Sequence, residues 1–330
     1  MSSIMEREAL EAPTRIAEQL RHNEAALAQL GAQLRITPPR FVMWVGRGSS
    51  DHAGVFAKYL IEIELGIPTF ASAPSVASLY GRELALEGAL VLVISQSGRS
   101  PDILAQAQMA KRAGGRVVAL VNDAESPLAE LADHVVPLCA GKEQAVAATK
   151  SYLATLSALL HLISAWRQDP ALTEAVMNLP AMLDEAIAAP EQLLSASVAE
   201  VANLVVLGRG LGYAVSKEIA LKLKEVCGIH AEAFSSAEFL HGPVTLVEQQ
   251  LALLSLNIVD ESKPAHDEQM ADIRGRGASV VDLSQTGSAH PRVAPLSLIQ
   301  RFYLDVERVA RARGIDPDNP KGLKKVTQTL

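Results

Sequence analysis

The sequence predicts an α/β protein with two tandem, doubly wound parallel sheets. Nearly continuous apolar runs alternate with helix-like segments, which is the pattern of strands buried on both faces of a parallel sheet. The pattern also occurs twice, because the apolar runs recur at a constant offset. For example, Gly46 and Gly208 each directly follow such a run, and they are 162 positions apart (208 − 46 = 162). A shared offset of this kind indicates two copies of one α/β unit.

Three pairs of apolar segments carry the repeat. They are residues 42–48 and 204–210, 90–93 and 252–255, and 118–121 and 280–283. The segments between them are predicted to be helices: 52–64, 101–113 and 128–132 in the first copy, and 213–226 and 266–276 in the second. Residues 5–35 are predicted to form one amphipathic helix before the first copy. Right-handed crossovers would place these helices on both faces of each sheet.

The domain boundaries follow from these segments. We expect a helical segment at residues 1–34, a first domain at 35–170, a helical linker at 171–195, a second domain at 196–315 and a tail at 316–330. The tail mixes basic and apolar residues and is predicted to close over an anionic site. The longest uncharged apolar segment, 151–166, is too short to span a membrane and is predicted to be a buried helix.

Composition and charge exclude several classes of protein. The chain has 330 residues, 49% of them hydrophobic, and a formal net charge of −7. No run of lysine or arginine indicates nucleic-acid binding, and residues 1–35 lack the apolar core of a signal peptide. The two cysteines, Cys139 and Cys227, lack metal-type spacing and are expected to be reduced thiols of a cytoplasmic protein.

No cofactor is predicted. The Gly-x-Gly turn that ends the first strand of each copy does not continue to Gly-x-x-Gly, so a dinucleotide site is not supported. His230 and Glu232 have no third residue at a spacing typical of metal ligands, so no metal is predicted.

A hydroxyl-rich turn indicates a phosphate site in the first copy. Ser95, Gln96, Ser97 and Ser100 follow the apolar run 89–94 and directly precede Pro101. The backbone N–H groups of a helix N-terminus and these side chains can bind a phosphate monoester. Ser100 before Pro101 is also typical of an N-cap, so the segment fits an ordinary capped turn as well.

The second copy contains the densest polar cluster. Lys222 and Glu225 are three residues apart and should share a helix face, where a carboxylate could move a proton next to a carbonyl group. A solvent-exposed Lys–Glu pair fits the same spacing. His241 precedes Gly242-Pro243 in a predicted loop and could transfer protons near neutral pH or serve as a structural hydrogen-bonding group.

Together these motifs resemble tandem sugar-isomerase (SIS) domains. In order, the chain has Gly-x-Gly-Ser-Ser, Ser-Gln-Ser-Gly, Lys-x-x-Glu before His-Ala-Glu-Ala, Glu-x-x-His-Gly-Pro, and Pro-x-x-Leu-x-Lys. The resemblance covers about residues 35–330 and is strongest to the isomerase half of glucosamine-6-phosphate synthase and to stand-alone SIS-type glucosamine-6-phosphate deaminases. Two positions differ from the family pattern: Arg99 replaces a glutamate in the phosphate loop, and Ala148 replaces a serine.

The resemblance implies roles for individual residues. Glu225 would be the base that moves a proton between C1 and C2, Lys222 would position it, and His241 would assist ring opening, often from the partner subunit of a homodimer. Lys325 would engage the open-chain sugar. The implied ligands of the substrate are Ser95, Gln96, Ser97 and Ser100 for the phosphate, and Ser50 and the backbone near Val146 for the sugar.

The resulting hypothesis is a glucosamine-6-phosphate deaminase that binds a sugar phosphate and neither nucleic acid nor membrane. It is motivated by Glu225 and His241 and by the absence of a glutaminase domain from this sequence. Alternatives are a deglycase acting on a 6-phosphorylated fructosamine, and an isomerase or deaminase of another amino-sugar phosphate. A non-catalytic sugar-phosphate sensor is a different class, but the chain has no helix-turn-helix before residue 35.

Overall fold

A computed structural model describes residues 2–323 and 325 of the chain. These residues form two compact units. The first unit comprises residues 14–143, 150–179 and 325, and the second comprises residues 2–13, 144–149 and 180–323. The domain boundaries expected from the sequence remain predictions. No helix in residues 2–323 is both long and apolar enough to cross a membrane.

Two helices precede the first strand, where the sequence predicted one. They are α1 (Ile4–Leu10) and α2 (Ala12–Ile36). Helix α1 ends at its C-cap, Glu11, and a new helix begins at Ala12, with Pro13 in its first turn. Proline lacks the N–H needed to continue a preceding helix but fits the first turn of a new one, which explains the break.

The sheet of the first unit is parallel, and its five strands in the described residues follow the order β2-β1-β3-β4-β5. All seven residues of β3 are buried, as the continuous apolar run predicted. The strands are β1 (Phe41–Val45), β2 (Thr69–Ala71), β3 (Ala89–Ser95), β4 (Arg116–Val121) and β5 (His134–Pro137).

Helices α3 to α8 belong to the first unit, and α3, α5 and α6 confirm the three helix-like segments expected in the first copy. Helix α7 is almost entirely buried, which confirms the prediction for residues 151–166. The helices are α3 (Ser49–Leu65), α4 (Pro74–Ser78), α5 (Pro101–Arg112), α6 (Pro127–Leu131), α7 (Lys150–Arg167) and α8 (Pro170–Met177).

The second unit repeats this architecture. Its described strands form a parallel sheet of order β7-β6-β8-β9. The strands are β6 (Asn203–Gly208), β7 (His230–Ser235), β8 (Ala252–Asn257) and β9 (Ser279–Ser284). The helices are α9 (Leu179–Ala188), α10 (Leu211–Cys227), α11 (Ser236–Phe239), α12 (Lys263–Gly275) and α13 (Ala294–Ala312).

The internal repeat is confirmed at the level of single residues. Helices α3 and α10 start and end 162 positions apart (211 − 49 and 227 − 65). Each is preceded by a glycine with the same positive-φ conformation: Gly48 has φ 55° and ψ −128°, and Gly210 has φ 53° and ψ −128°. Glycine adopts this backbone without the strain that a Cβ atom would add. The chain therefore folds as two tandem doubly wound α/β units.

Candidate active site

A pocket of about 370 Å³ opens at the carboxyl ends of β1 and β3 in the first unit. This is the edge where open α/β sheets bind their ligands. The pocket collects six of the ten site residues predicted from the sequence: Ser50, Ser95, Gln96, Ser97, Ser100 and Lys325. The other four, Val146, Lys222, Glu225 and His241, belong to the second unit.

The hydroxyl-rich loop is shaped by a glycine. The N–H of Gly98 donates a hydrogen bond of 3.1 Å to Ser95 Oγ, which closes the turn after β3. Gly98 has φ +63°, and a Cβ atom there would lie 2.2 Å from Ser126 Oγ. Both the left-handed conformation and the lack of space exclude a larger residue.

The loop leads directly into the N-terminus of α5. Ser100 occupies the N-cap position and Pro101 the first turn, as the sequence predicted. The Ser100 side chain makes no capping hydrogen bond, so its hydroxyl is not committed to the helix. The first N–H groups of a helix have no intrahelical partner, and they attract anions. The loop and α5 together suit a phosphate group.

Two cationic side chains line this pocket, and each contacts a buried carboxylate. The Nε of Arg47 lies 2.9 Å from Asp102 Oδ2, and the Asp102 side chain is 0% exposed. The Nζ of Lys325 lies 3.2 Å from Oε2 of Glu143, which is also 0% exposed and accepts a hydrogen bond from Ser151 Oγ. The two carboxylates fix the positions of the two cations.

The family departure at Arg99 is directed away from the pocket. Its guanidinium lies 2.7 Å from Asp123 Oδ2, and both side chains are exposed. The hydrogen bond from Arg99 lowers the pKa of Asp123. Arg99 does not line the pocket. Its side chain forms a surface ion pair with Asp123 instead.

The segment around Val146 is held by hydrogen bonds within the second unit. Glu8 of α1 accepts hydrogen bonds from the backbone N–H groups of Gln144 and Ala145. The N–H of Val146 donates to the carbonyl oxygen of Asp318 at 3.1 Å. Because the Val146 N–H already donates to Asp318, the predicted sugar contact at Val146 would be made by the carbonyl oxygen of Val146.

Helix α10 carries a buried ionic cluster in the second unit. Lys222 Nζ lies 2.6 Å from Glu225 Oε2 and 3.2 Å from Glu218 Oε1. The hydroxyl of Tyr303 on α13 donates a hydrogen bond of 3.3 Å to Glu218. The side chains of Lys222 and Glu218 are 1% and 0% exposed, whereas that of Glu225 is 22% exposed. Glu225 is thus held at one oxygen and accessible from outside.

The buried position of Lys222 excludes the alternative of a solvent-exposed Lys–Glu pair. Burial alone lowers the pKa of this ammonium group, but the charges of Glu218 and Glu225 outweigh burial and raise the pKa to about 12. Lys222 is therefore a permanent cation that orients Glu225, and not a proton donor near neutral pH.

His241 lies apart from this cluster along the chain, in a turn after α11. Its backbone N–H donates to the carbonyl of Glu238 at 3.0 Å, and the residue is exposed. His230 is also exposed, at the start of β7, with its Nδ1 3.1 Å from Asn203 Oδ1. Within residues 2–323 and 325, no group of three potential ligands could hold a metal ion.

Several residues of these sites were missed from the sequence. Glu218 lies four residues before Lys222 on the same helix, and this spacing could have identified it. Arg47, Asp102, Glu143 and Tyr303 gave no comparable signal, because each meets its partner only through the tertiary fold.

Comparison with known proteins identifies the family. The model of the SIS domain matches residues 36–165 and 197–295, which is more than half of the chain. The chain belongs to the SIS domain family. The two matched segments of this SIS protein coincide with the two sheets described above.

Curated relatives of this SIS protein are named for a sugar phosphate. A glutamine–fructose-6-phosphate aminotransferase (isomerizing) from Symbiobacterium thermophilum is 33% identical over 318 residues, covering 87% of this chain and 51% of the relative. The chain thus spans about half the length of the curated relatives it matches.

Two solved structures match nearly the whole chain. A candidate phosphosugar isomerase from Silicibacter pomeroyi DSS-3 has a TM-score of 0.91 and 41% identity, covering 96% of this chain and 100% of that one. The C-terminal domain of glucosamine-fructose-6-phosphate aminotransferase from Francisella tularensis has a TM-score of 0.86 and 25% identity, covering 97% and 99%. The match is therefore to the C-terminal, isomerase half of the aminotransferase.

Proposed function

We propose that this SIS protein is an isomerising deaminase that converts glucosamine 6-phosphate and water into fructose 6-phosphate and ammonia. The names of its relatives combine fructose 6-phosphate, amino-group transfer and isomerisation, which are the components of this reaction. The observation that carries the proposal is the geometry of Glu225, a carboxylate fixed by a buried lysine yet accessible from outside.

The phosphate end of the substrate would bind in the pocket of the first unit. Ser95, Gln96, Ser97 and Ser100 line it beside the N-terminus of α5. Hydroxyl donors and unpaired helix N–H groups recognise a phosphate monoester without a metal ion. Lys325 lines the same pocket and would engage the open-chain sugar.

Glu225 would carry the proton transfer. In the open-chain substrate, C2 lies next to the C1 aldehyde and bears the amine, so its proton is acidic. The Glu225 carboxylate removes this proton while O1 accepts a proton from water, which gives an enolamine. Glu225 then returns its proton to C1 and the nitrogen releases a proton to water, which leaves an imine at C2. Water hydrolyses the imine, releasing ammonia and fructose 6-phosphate. No cofactor is needed, because the substrate supplies its own electron-withdrawing carbonyl.

Lys222 and His241 would assist this base. Lys222 holds one oxygen of Glu225 at 2.6 Å, which fixes the carboxylate in one orientation. His241 is exposed and would assist ring opening. We include a homodimer in the proposal, with His241 contributed by the partner subunit. Light scattering after size-exclusion chromatography tests the dimer, and a monomer that is fully active would contradict it.

The decisive experiment measures ammonia and fructose 6-phosphate released from glucosamine 6-phosphate by the purified protein. We expect equal amounts of both products from the wild type and no turnover by Glu225→Gln, which still binds fructose 6-phosphate. Glu268→Gln is the matched control, since Glu268 is an exposed carboxylate on α12 of the same unit. Its activity should equal that of the wild type.

The other outcomes separate the alternatives. Full activity of Glu225→Gln would refute the assignment of the base. Absence of ammonia, with sugar phosphates still raising the melting temperature, would refute the deaminase and favour a phosphorylated fructosamine or another amino sugar as the substrate. Absence of both turnover and binding would refute the proposed function as a whole.

A further inference from the structure

The pocket of the first unit contains an arginine that the sequence did not identify as a site residue. Arg47 follows β1 in the Gly-Arg-Gly turn and lines the pocket with Ser95, Gln96 and Ser97. Its side chain is 52% exposed, while its Nε contacts the fully buried Asp102 carboxylate at 2.9 Å. The guanidinium is thus anchored from one side and open on the other.

This anchoring leaves the outer edge of the guanidinium available. A guanidinium has five N–H donors in a planar fork, and the bond to Asp102 uses the one on Nε. Within the described residues, neither Nη nitrogen of Arg47 has a protein hydrogen-bond partner. Two parallel N–H donors match the spacing of two phosphate oxygens.

The second copy of the repeat shows that this arrangement is specific to the first. The equivalent residue of Arg47 is Arg209 (47 + 162), whose Nη1 donates to Ser235 Oγ at 3.3 Å. Arg209 therefore uses an outer nitrogen for a hydroxyl within its own unit. Arg47 is instead held through Nε by a carboxylate, and its two Nη nitrogens have no hydrogen-bond partner in the part of the chain that the structure describes.

Charge supports the same role. Among the described charged residues that line the pocket, Asp102 is wholly buried behind Arg47, and Lys325 is held by the buried Glu143. An anion entering the pocket meets the exposed guanidinium before it meets the carboxylate. Without Arg47, a buried negative charge would lie next to the anion without its guanidinium partner, which disfavours a phosphate dianion.

We propose that Arg47 is a substrate-binding residue whose two Nη nitrogens bind the phosphate group of a sugar phosphate, with Asp102 as its positioning residue. The inference rests on the proposed function, because it assumes that the pocket of the first unit receives the phosphate end of the substrate. It adds a charged contact to the hydroxyl and backbone contacts of the loop.

The test is isothermal titration calorimetry with fructose 6-phosphate, inorganic phosphate and fructose. Arg47→Ala should weaken the binding of both phosphates by about 10- to 100-fold, since a hydrogen bond to a charged group is worth about 1.5–3 kcal/mol. Arg47→Lys keeps the charge but not the fork, and should fall between Arg47→Ala and the wild type. This second variant also serves if the alanine variant folds poorly.

The matched control is Arg112→Ala. Arg112 lies at the other end of α5, where its Nε contacts Glu83 Oε1 at the same distance of 2.9 Å. The variant removes the same charge from the same unit but not from the pocket, so its affinities should stay within about twofold of the wild type at physiological salt.

A double variant separates direct contact from simple neutralisation of Asp102. If Arg47 binds the phosphate, Arg47→Ala with Asp102→Asn remains weak. Recovery of wild-type affinity in the double variant would overturn the direct contact. Equal binding by the wild type and Arg47→Ala would overturn the inference while leaving the proposed function intact. Failure of the wild type to bind either phosphate would overturn both.

Discussion

Replacing Lys222 by methionine tests whether the buried cluster on α10 is held together by charge. Methionine has a similar shape but no ammonium group. In the variant, the Glu218 carboxylate would stay 0% exposed and lose the cation that lies 3.2 Å away. The hydroxyl of Tyr303 would remain as a partner of Glu218.

The magnitude follows from the burial of both partners. Removing one member of a buried ion pair typically costs about 3–5 kcal/mol, because a charge is left without compensation in a medium of low polarity. Glu225 adds little to this cost, since its side chain is 22% exposed and water can solvate it. At about 2–4 °C per kcal/mol, the melting temperature of the second unit should fall by about 6–20 °C.

The assay is differential scanning calorimetry together with urea denaturation followed by circular dichroism. Lys224→Met is the matched control, because Lys224 is exposed on the same helix two residues later. A surface substitution of this kind should change stability by no more than about 0.5 kcal/mol. A loss for Lys222→Met within about 1 kcal/mol of the control would contradict the reasoning.

A second variant shows which charge is responsible. Adding Glu218→Gln to Lys222→Met removes the buried carboxylate that lost its ammonium partner. Neutral replacements of both members of a buried pair are often tolerated. The double variant should therefore be more stable than Lys222→Met alone, and a further loss of stability would show that packing, not charge, dominates the cluster.

Three further predictions concern other described residues. Glu143→Gln removes the charge that holds Lys325 at 3.2 Å, so kcat/KM on the sugar phosphate should fall roughly tenfold, measured by product release. Gly98→Ala places a Cβ atom 2.2 Å from Ser126 Oγ at φ +63°, so we expect inorganic phosphate to raise the melting temperature less in this variant than in the wild type. Burial lowers the pKa of His266 below its usual 6.5. The unfolded chain then binds a proton that the folded state resists, so the free energy of unfolding should decrease as the pH falls below about 6.5, and less so in His266→Gln.

The sheets could be predicted from the sequence because their strands are buried on both faces. A run such as 89–94 is apolar at every position, and the structure buries all seven residues of β3. The offset of 162 residues was equally accessible, because each copy repeats the turn Gly-Arg-Gly after its first strand. The loop that is proposed to bind phosphate was predicted from serines at one strand end, which is local information.

The rest of the site depends on contacts between residues far apart in the chain. Arg47 and Asp102 are 55 positions apart, and Glu143 and Lys325 are 182 positions apart. No periodicity or spacing encodes such pairs. The break after α1 was missed for a different reason, since the amphipathic pattern continues through Glu11 and only Pro13 signals a new helix.

The two copies differ at the residues on which the proposed reaction depends. Helices α5 and α12 begin at the equivalent positions 101 and 263, but Gly98 and Arg99 of the first copy correspond to Asp260 and Glu261 of the second. Glu261 is paired with Arg292 at 2.7 Å, but the carboxylate of Asp260 near the helix N-terminus would repel a phosphate dianion.

The ionic cluster on α10, in contrast, is present in the second copy and has no counterpart in the first. Glu218, Lys222 and Glu225 correspond in the first copy to Phe56, Leu60 and Ile63, each 162 positions earlier. Phe56 and Leu60 are completely buried hydrophobic residues, so α3 offers neither a cation nor a carboxylate at these positions. Exchanging Glu218 and Lys222 for the apolar residues of α3 should therefore abolish turnover, measured by product release, because the ammonium group that holds Glu225 at 2.6 Å is lost.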